Sequence, residues 1–232
     1  MLRYTMGTLV GAVIFYFLWK DNPGWQNILL FSSSTASPDK LQLTLLVAYG
    51  LVYCYIASAP ILVFHATRFL LDYRVKKDAL LGWSCRYLLI PILVLPITWF
   101  IWHRLLWNVV GFVFVFILDL QYFLGARALL NRKRLYDFYD RLAKRRSEVN
   151  GGDILDSYRH LREHGNSFFI VLLEILLGLV LYGAGLYQAD RHIPSEKVFF
   201  LYLMIFLLWI GPSVGVWFIA TSFEREFRDA QL

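Results

Sequence analysis

Charged side chains are scarce in this chain. Aspartate, glutamate, lysine and arginine make up 17% of its 232 residues, whereas soluble domains average about 25%. Hydrophobic residues reach 58% and aromatic residues 18%. A surface that faces water needs more polar side chains than this composition supplies. The shortage of charge therefore excludes an ordinary soluble globular protein and predicts an integral membrane protein.

Cysteine is equally scarce. Cys54 and Cys85 are the only cysteines in the chain, which is too few for a disulfide framework. Both lie in or beside apolar runs, where a thiol is typical of a small buried hydrophobic side chain. No Cys-x-x-Cys pair and no cluster of cysteine with histidine indicates a metal site. The sequence therefore predicts no metal and no cofactor.

Six apolar runs approach or reach the length of about 17–25 residues that a helix needs to cross a bilayer. No small-x-small cleavage site follows the first run, so we interpret it as a retained anchor and not as a signal peptide. Pro60 predicts a bend in the second run, and residues 211–213, Gly-Pro-Ser, predict a break in the sixth. The predicted spans cover residues 4–19, 41–65, 87–102, 107–126, 167–187 and 198–221.

Lysine and arginine are divided unevenly between the two sides of these spans. If the N-terminus is cytoplasmic, 18 of the 23 basic residues lie on the cytoplasmic side and 5 on the other. The positive-inside rule then predicts six spans with both termini in the cytoplasm. The predicted fold class is all-α integral membrane, a six-span helical bundle. Short loops and the lack of an ectodomain favour a bacterial inner (cytoplasmic) membrane.

The division of the chain follows from the same assignment. Spans 1–4 lie within residues 1–126, a cytoplasmic helical hairpin occupies 127–166, spans 5–6 lie within 167–222, and 223–232 form a cytoplasmic tail.

The hairpin is predicted from two amphipathic patterns. An apolar stripe at helical spacing marks the first limb: Leu135, Phe138, Tyr139 and Leu142. Gly151 and Gly152 end this limb, which we expect to continue span 4 as one long helix. The second limb is expected to end at residues 164–166, where Asn166 would cap span 5.

Basic side chains are concentrated on this hairpin. Residues 131–166 carry nine positive and six negative charges, a balance that is weak for a nucleic-acid binder and typical of a helix attracted to anionic lipid headgroups. The residues predicted to face lipid or a cytosolic partner are Arg132, Lys133, Arg134, Lys144, Arg145, Arg146, Arg159 and Arg162.

Two acids lie inside predicted spans. Asp119 and Glu174 fall at similar predicted depth, near the cytoplasmic face at which His65 and Arg68 end span 2. Ionisable groups at that depth are costly unless they are paired or hydrated. We therefore predict an intramembrane polar cluster of these four residues. It could be a salt bridge that sets helix register, or a proton or cation path or switch; alternatively, Glu174 could reach towards the interface.

The segment RHLREH, residues 159–164, fits two catalytic signatures. Arg159, His160 and His164 match R-[NDH]-x-x-x-H, so the segment resembles the HEPN ribonuclease family, which implies that Arg159 and His164 act on RNA at a dimer interface. The same letters are similar to the H-x-x-E-H of inverted zinc proteases, which implies His160 and His164 as ligands and Glu163 as base. The third interpretation, which we favour, is a solvated basic helix face.

Three functions are consistent with these features. The favoured one is a non-enzymatic, homo-oligomeric membrane sensor or effector that signals to or anchors a cytosolic partner through the hairpin. Membrane-disrupting defence effectors and toxin-immunity proteins share this plan. The second is a small ion channel or proton-linked transporter that uses Asp119 and Glu174, although no inverted repeat is visible and only one span has the Gly-Pro interruption expected in pairs. The third is a HEPN-like ribonuclease.

Overall fold

The computed structural model describes residues 2–20, 40–71, 105–148 and 152–229. This part of the chain is helical, with short turns and no strand. Its α-helices are α1 (Leu2–Lys20), α2 (Lys40–Ala57), α3 (Ala59–Ala66), α4 (Leu105–Leu130), α5 (Arg132–Glu148), α6 (Gly152–Arg191) and α7 (Ser195–Asp229). A 3₁₀ helix, Thr67–Leu71, follows α3.

Four of the described segments are long and apolar enough to cross a membrane: Lys40–Ala66, Leu105–Leu130, Asn166–Arg191 and Phe199–Ser222. A shorter apolar helix covers Thr5–Lys20. Large hydrophobic side chains such as Phe200 and Trp217 are more than half exposed, as expected where lipid covers them. The prediction of an all-helical fold is confirmed for the described residues, and four of its helices have the length and apolar composition of membrane spans. The predicted third span, residues 87–102, lies outside the described residues.

Helices α3 and α7 run in the same direction. The Trp209 Nε1–H of α7 donates to the carbonyl oxygen of Ala57 at 3.2 Å, and the Ser213 hydroxyl donates to that of Ala59 at 2.6 Å. Residue numbers therefore rise together along the two helices.

Helices α4 and α7 are parallel as well. The Phe114 and Trp209 rings stack with centroids 5.3 Å apart, and further along both helices Ala128 packs near Ile219. Since α3 and α4 both run parallel to α7, the end of α3 and the beginning of α4 lie at opposite ends of the bundle.

Helix α1 packs antiparallel to α2 at very short range. A Cβ at Gly11 would lie 2.6 Å from the Gly50 carbonyl oxygen, and a Cβ at Gly50 would lie 2.5 Å from the Thr8 carbonyl oxygen. Only glycine allows two helix backbones to approach this closely. This contact packs α1 against α2, and an adjacent face of α1 packs against α6.

Helix α6 is continuous over 40 residues. The predicted helix end at residues 164–166 is wrong, since α6 passes through Gly165 and Asn166 without a turn. A single glycine lowers helix stability by only about 1 kcal/mol, which packing of the adjoining apolar turns can outweigh. The prediction that the first limb continues span 4 as one long helix is also wrong. Helix α4 ends at Leu130, and a turn at Asn131, whose side-chain amide donates to the Arg127 carbonyl at 2.8 Å, separates it from α5.

The two proline predictions have different outcomes. The bend predicted from Pro60 is confirmed, because the helix is interrupted at Ser58, two residues earlier. The break predicted at residues 211–213 is wrong, because α7 continues through Pro212. Proline is tolerated within a membrane helix when neighbouring helices pack against it, and Gly125 of α4 lies directly opposite the Pro212 ring.

Helix α6 joins α7 through a tight turn. The Ile193 N–H donates to the Gln188 carbonyl oxygen at 3.2 Å, a bond of the kind that ends a helix when the preceding residue is left-handed. His192 is that residue, with φ of 53°. The turn reverses the chain, so α7 packs back along the bundle.

Candidate functional site

Glu174 lies in the middle of the apolar half of α6, on the face that meets α1 and α2. Its side chain is fully buried, as is that of Cys54 on α2. A Cβ at Gly7 of α1 would lie 2.5 Å from the Cys54 Sγ and 3.0 Å from the Glu174 Oε1. A carboxyl group, a thiol and a bare stretch of helix backbone therefore meet at one point. We call Gly7, Tyr53, Cys54 and Glu174 the Glu174 centre.

The carboxyl group of Glu174 is not paired. Neither of its oxygens has a hydrogen-bond partner among the described residues. The Cys54 thiol lies within reach of a weak hydrogen bond to the carboxyl group, and a thiol brings no charge that could balance a carboxylate. Burying an ionised carboxylate without a counter-charge costs far more than burying a neutral group. A proton or a bound cation removes that cost, so the centre is suited to taking up positive charge.

Tyr53 fastens α2 to α6 at this level. Its hydroxyl donates to the backbone carbonyl of Glu174 at 2.7 Å, and the bond is buried. Gly178, one turn further along α6, leaves space for the Tyr53 side chain, since a Cβ there would lie 3.2 Å from the tyrosine oxygen. A movement of the α6 backbone at Glu174 would therefore displace Tyr53 and with it α2.

Asp119 does not join Glu174 in the predicted polar cluster. Helix α4, which carries Asp119, meets α6 where Trp107 packs over Gly183. Gly183 and Glu174 are nine residues apart, which is about half a turn around a helix with 3.6 residues per turn. Glu174 therefore points away from α4. The Asp119 Oδ2 is buried and has no hydrogen-bond partner within the described segments.

His65 and Arg68 serve the end of α3 instead. The Arg68 Nε–H donates to the His65 carbonyl at 3.0 Å, and the Tyr139 hydroxyl of α5 donates to the same oxygen at 3.1 Å. Leu135 is buried beside Ala128 and Ile219 in a small apolar cluster. The predicted stripe of α5 thus packs against the end of the bundle.

The predicted basic face is described in part. Arg132, Lys133 and Arg134 are exposed at the start of α5, one turn beyond the strongly exposed Leu130 of α4. The remaining predicted residues lie on helical backbone whose side chains are outside the description: Lys144, Arg145 and Arg146 on α5, and Arg159, His160, Arg162 and His164 on α6. The ribonuclease and protease interpretations of residues 159–164 stay predictions. Within the described segments, no group of three histidine, cysteine or acidic side chains could hold a metal ion.

A second polar region lies where two proline-containing spans meet. Pro60 follows the interruption between α2 and α3, and Pro212 lies inside α7. The Ile61 N–H donates to the Ser58 carbonyl and leaves the Ala57 carbonyl to Trp209. We call residues 57–60 together with Trp209, Pro212 and Ser213 the kink junction.

Gln121 of α4 lies beside the kink junction. It is fully buried, and in the described part of the chain neither atom of its amide finds a partner. Phe114, seven residues earlier, stacks on Trp209, and Gly125, four residues later, faces Pro212. These spacings place all three residues on one face of the helix, so Gln121 is directed at α7.

Sequence reasoning missed Gly7, Tyr53 and Gln121. One signal for the first was available, because Gly7 and Gly11 form a small-xxx-small pair, the spacing that marks close helix contact in membranes. The signal for Gln121 is a polar side chain inside an apolar run, two residues after Asp119. Comparison of the chain with protein-family models, curated proteins and solved structures found no match.

Proposed function

We propose that this protein is a non-enzymatic membrane sensor in which Glu174 takes up a proton and the cytoplasmic helices signal the change to a cytosolic partner. One observation supports this most directly. The buried, unpaired carboxyl group belongs to the same unbroken helix, α6, whose other end extends to Gly152. A rotation or shift of α6 that accompanies protonation would move both ends of one rod.

A second connection runs through α2 and α3. Tyr53 and Cys54 contact Glu174 one turn before the interruption at Ser58. Beyond it, one residue before the end of α3, the His65 carbonyl accepts the Tyr139 hydroxyl of α5. Helices α2 and α3 therefore connect the Glu174 centre to α5, the first limb of the cytoplasmic hairpin. Coupling of this kind requires a physical element that both sites contact. The segment formed by α2 and α3 meets that requirement, because α2 contacts Glu174 and α3 contacts Tyr139.

We propose six spans, with both termini in the cytoplasm of a bacterial inner membrane. The end of α3 and the beginning of α4 lie at opposite ends of the bundle, which supports the additional span predicted between them. The exposed Arg132, Lys133 and Arg134 just beyond α4 support a cytoplasmic position for that end of the bundle. These cations suit anionic lipid headgroups. A homo-oligomer that acts in defence or toxin immunity completes the proposal.

The sensor proposal predicts that Glu174→Gln fixes the cytoplasmic helices in one state. Glutamine has nearly the same shape as a protonated glutamate and cannot ionise. A spin label attached through Lys144→Cys, with Cys85→Ala and the buried Cys54 retained, should change mobility between acidic and neutral pH in proteoliposomes. We expect this response to disappear with Glu174→Gln.

The matched control is Asp119→Asn, which neutralises the other intramembrane acid. It should leave the pH response of the label unchanged. A response that persists unaltered in Glu174→Gln would remove Glu174 from the proposed mechanism.

A proton-linked transporter is the second candidate. It is favoured by the interruption of one span at Ser58 in the kink junction, because discontinuous membrane helices form many transporter binding sites. We expect it, if correct, to give proton flux into liposomes above the protein-free background, with loss of that flux in Glu174→Gln. Background flux in both proteins would exclude transport while leaving the sensor proposal intact.

A further inference from the structure

We propose that the kink junction and Gln121 together bind a monovalent cation. This inference does not rest on Glu174, because the Glu174 side chain and the Gln121 side chain are directed at different helices, although α2 contributes residues to both places. Glu174 faces α1 and α2, whereas Gln121 faces α7.

The position of Gln121 supports the proposal. The Gln121 side chain lies on the face of α4 that meets α7. On this face it lies between two contacts, the stacking of Phe114 on Trp209 and the packing of Gly125 against Pro212. Trp209 and Ser213 in turn reach the carbonyl oxygens of Ala57 and Ala59. Gln121 is therefore level with the interruption of one span and the proline of another.

The oxygens that the proposal assigns to the cation are neutral. They are the Gln121 amide oxygen, the Ser213 hydroxyl oxygen and the carbonyl groups at the end of α2. Pro60 and Pro212 have no N–H, so the carbonyls of Ile56 and Leu208 lose their usual partners four residues ahead. The C-terminal end of α2 also carries the negative end of its helix dipole.

The lack of a carboxylate in this donor set determines the charge of the ligand. Calcium and magnesium sites in proteins include carboxylates, and Asp119 lies two residues from Gln121, on nearly the opposite side of a helix with about 100° per residue. Neutral carbonyl, hydroxyl and amide oxygens at a break in a membrane helix suit a single positive charge. A buried amide with no partner is destabilising, and a bound cation would satisfy its oxygen.

The test is thermal unfolding of the full-length protein in detergent, followed by tryptophan fluorescence, in chlorides of sodium, potassium and choline at one ionic strength. A ligand that binds the folded state raises Tm. We expect sodium or potassium to raise Tm by several degrees over choline, and Gln121→Met, which keeps the side-chain length without the amide, to abolish the rise. Asn108→Leu removes another buried amide of α4 that lies outside the kink junction. This variant should keep the rise in Tm.

Two further results bear on the proposal. Gln121→Glu keeps an oxygen in place and adds a negative charge, so it should strengthen the cation response. This variant also provides the test if Gln121→Met does not fold. Equal Tm values for the wild type in all three salts would overturn the proposal and assign internal water to Gln121. A cation response that survives in Gln121→Met would overturn it as well.

Discussion

Gly7 is the residue whose size matters most at the Glu174 centre. Its lack of a side chain leaves the space that the Cys54 thiol and the Glu174 carboxyl group occupy. Both groups are fully buried, so neither can move into solvent to make room for a larger residue. The burial of Glu174 therefore depends on a glycine that lies on a different helix.

We expect Gly7→Ala to destabilise the protein by about 1–3 kcal/mol, the usual cost of overpacking a core. The new Cβ would lie 2.5 Å from the Cys54 Sγ. Thermal unfolding in detergent measures the effect. Addition of Cys54→Ala should recover much of the loss, because it removes the closest clashing atom.

Gly215→Ala is the matched control for this substitution. A Cβ at Gly215 meets no described atom within 4 Å, and alanine is the better helix former by up to about 1 kcal/mol. This variant should be as stable as the wild type or slightly more stable. If Gly7→Ala were as stable as Gly215→Ala, that result would contradict the close packing of Gly7 against Cys54 and Glu174.

At the scale of elements, the turn between α6 and α7 holds a residue in an unfavourable conformation. His192 has φ of 53°, a region that non-glycine residues enter at a cost of about 1–2 kcal/mol. Its ring Nδ1 lies 3.0 Å from the Ala189 carbonyl oxygen, an exposed contact that offsets only part of that cost. The turn is nevertheless required, because it sets how α7 packs back along the bundle.

His192→Gly should therefore stabilise the protein by about 1 kcal/mol, since glycine adopts a left-handed conformation without strain. The measurement is again the unfolding temperature in detergent. Asp190→Gly, two residues earlier and still within α6, should instead destabilise by about 1 kcal/mol. Equal effects of the two glycines would contradict the helix end described for α6.

At the scale of the whole molecule, the proposed topology can be tested by labelling. Lys144→Cys in a chain with Cys85→Ala should resist a membrane-impermeant thiol reagent added to intact cells and react after permeabilisation. Lys197→Cys, near the beginning of α7, should react with the reagent added to intact cells. Labelling of the first variant from outside would reverse the assignment of α5 and with it the docking proposal.

The parts of the fold that could be predicted are those set by residues close together in the chain. The apolar runs around Leu105–Leu130 and Asn166–Arg191 identified two spans because burial in lipid depends on length and composition. The stripe that contains Leu135 identified the packed face of α5 for a similar reason. The continuity of α7 through Pro212 could not be predicted, because packing against Gly125 of the neighbouring helix α4 contributes to it.

The amino-acid sequence alone determined that this is a helical membrane protein and that Glu174 lies within a span, because hydropathy and length act along one helix at a time. The tertiary structure alone decided that Glu174 faces Cys54 and Gly7 and turns away from Asp119, and that Gln121 lies beside two proline-containing spans. The physical reason is rotational. The sequence places a residue at a height along its helix, but the partners it meets depend on which helices pack against each face.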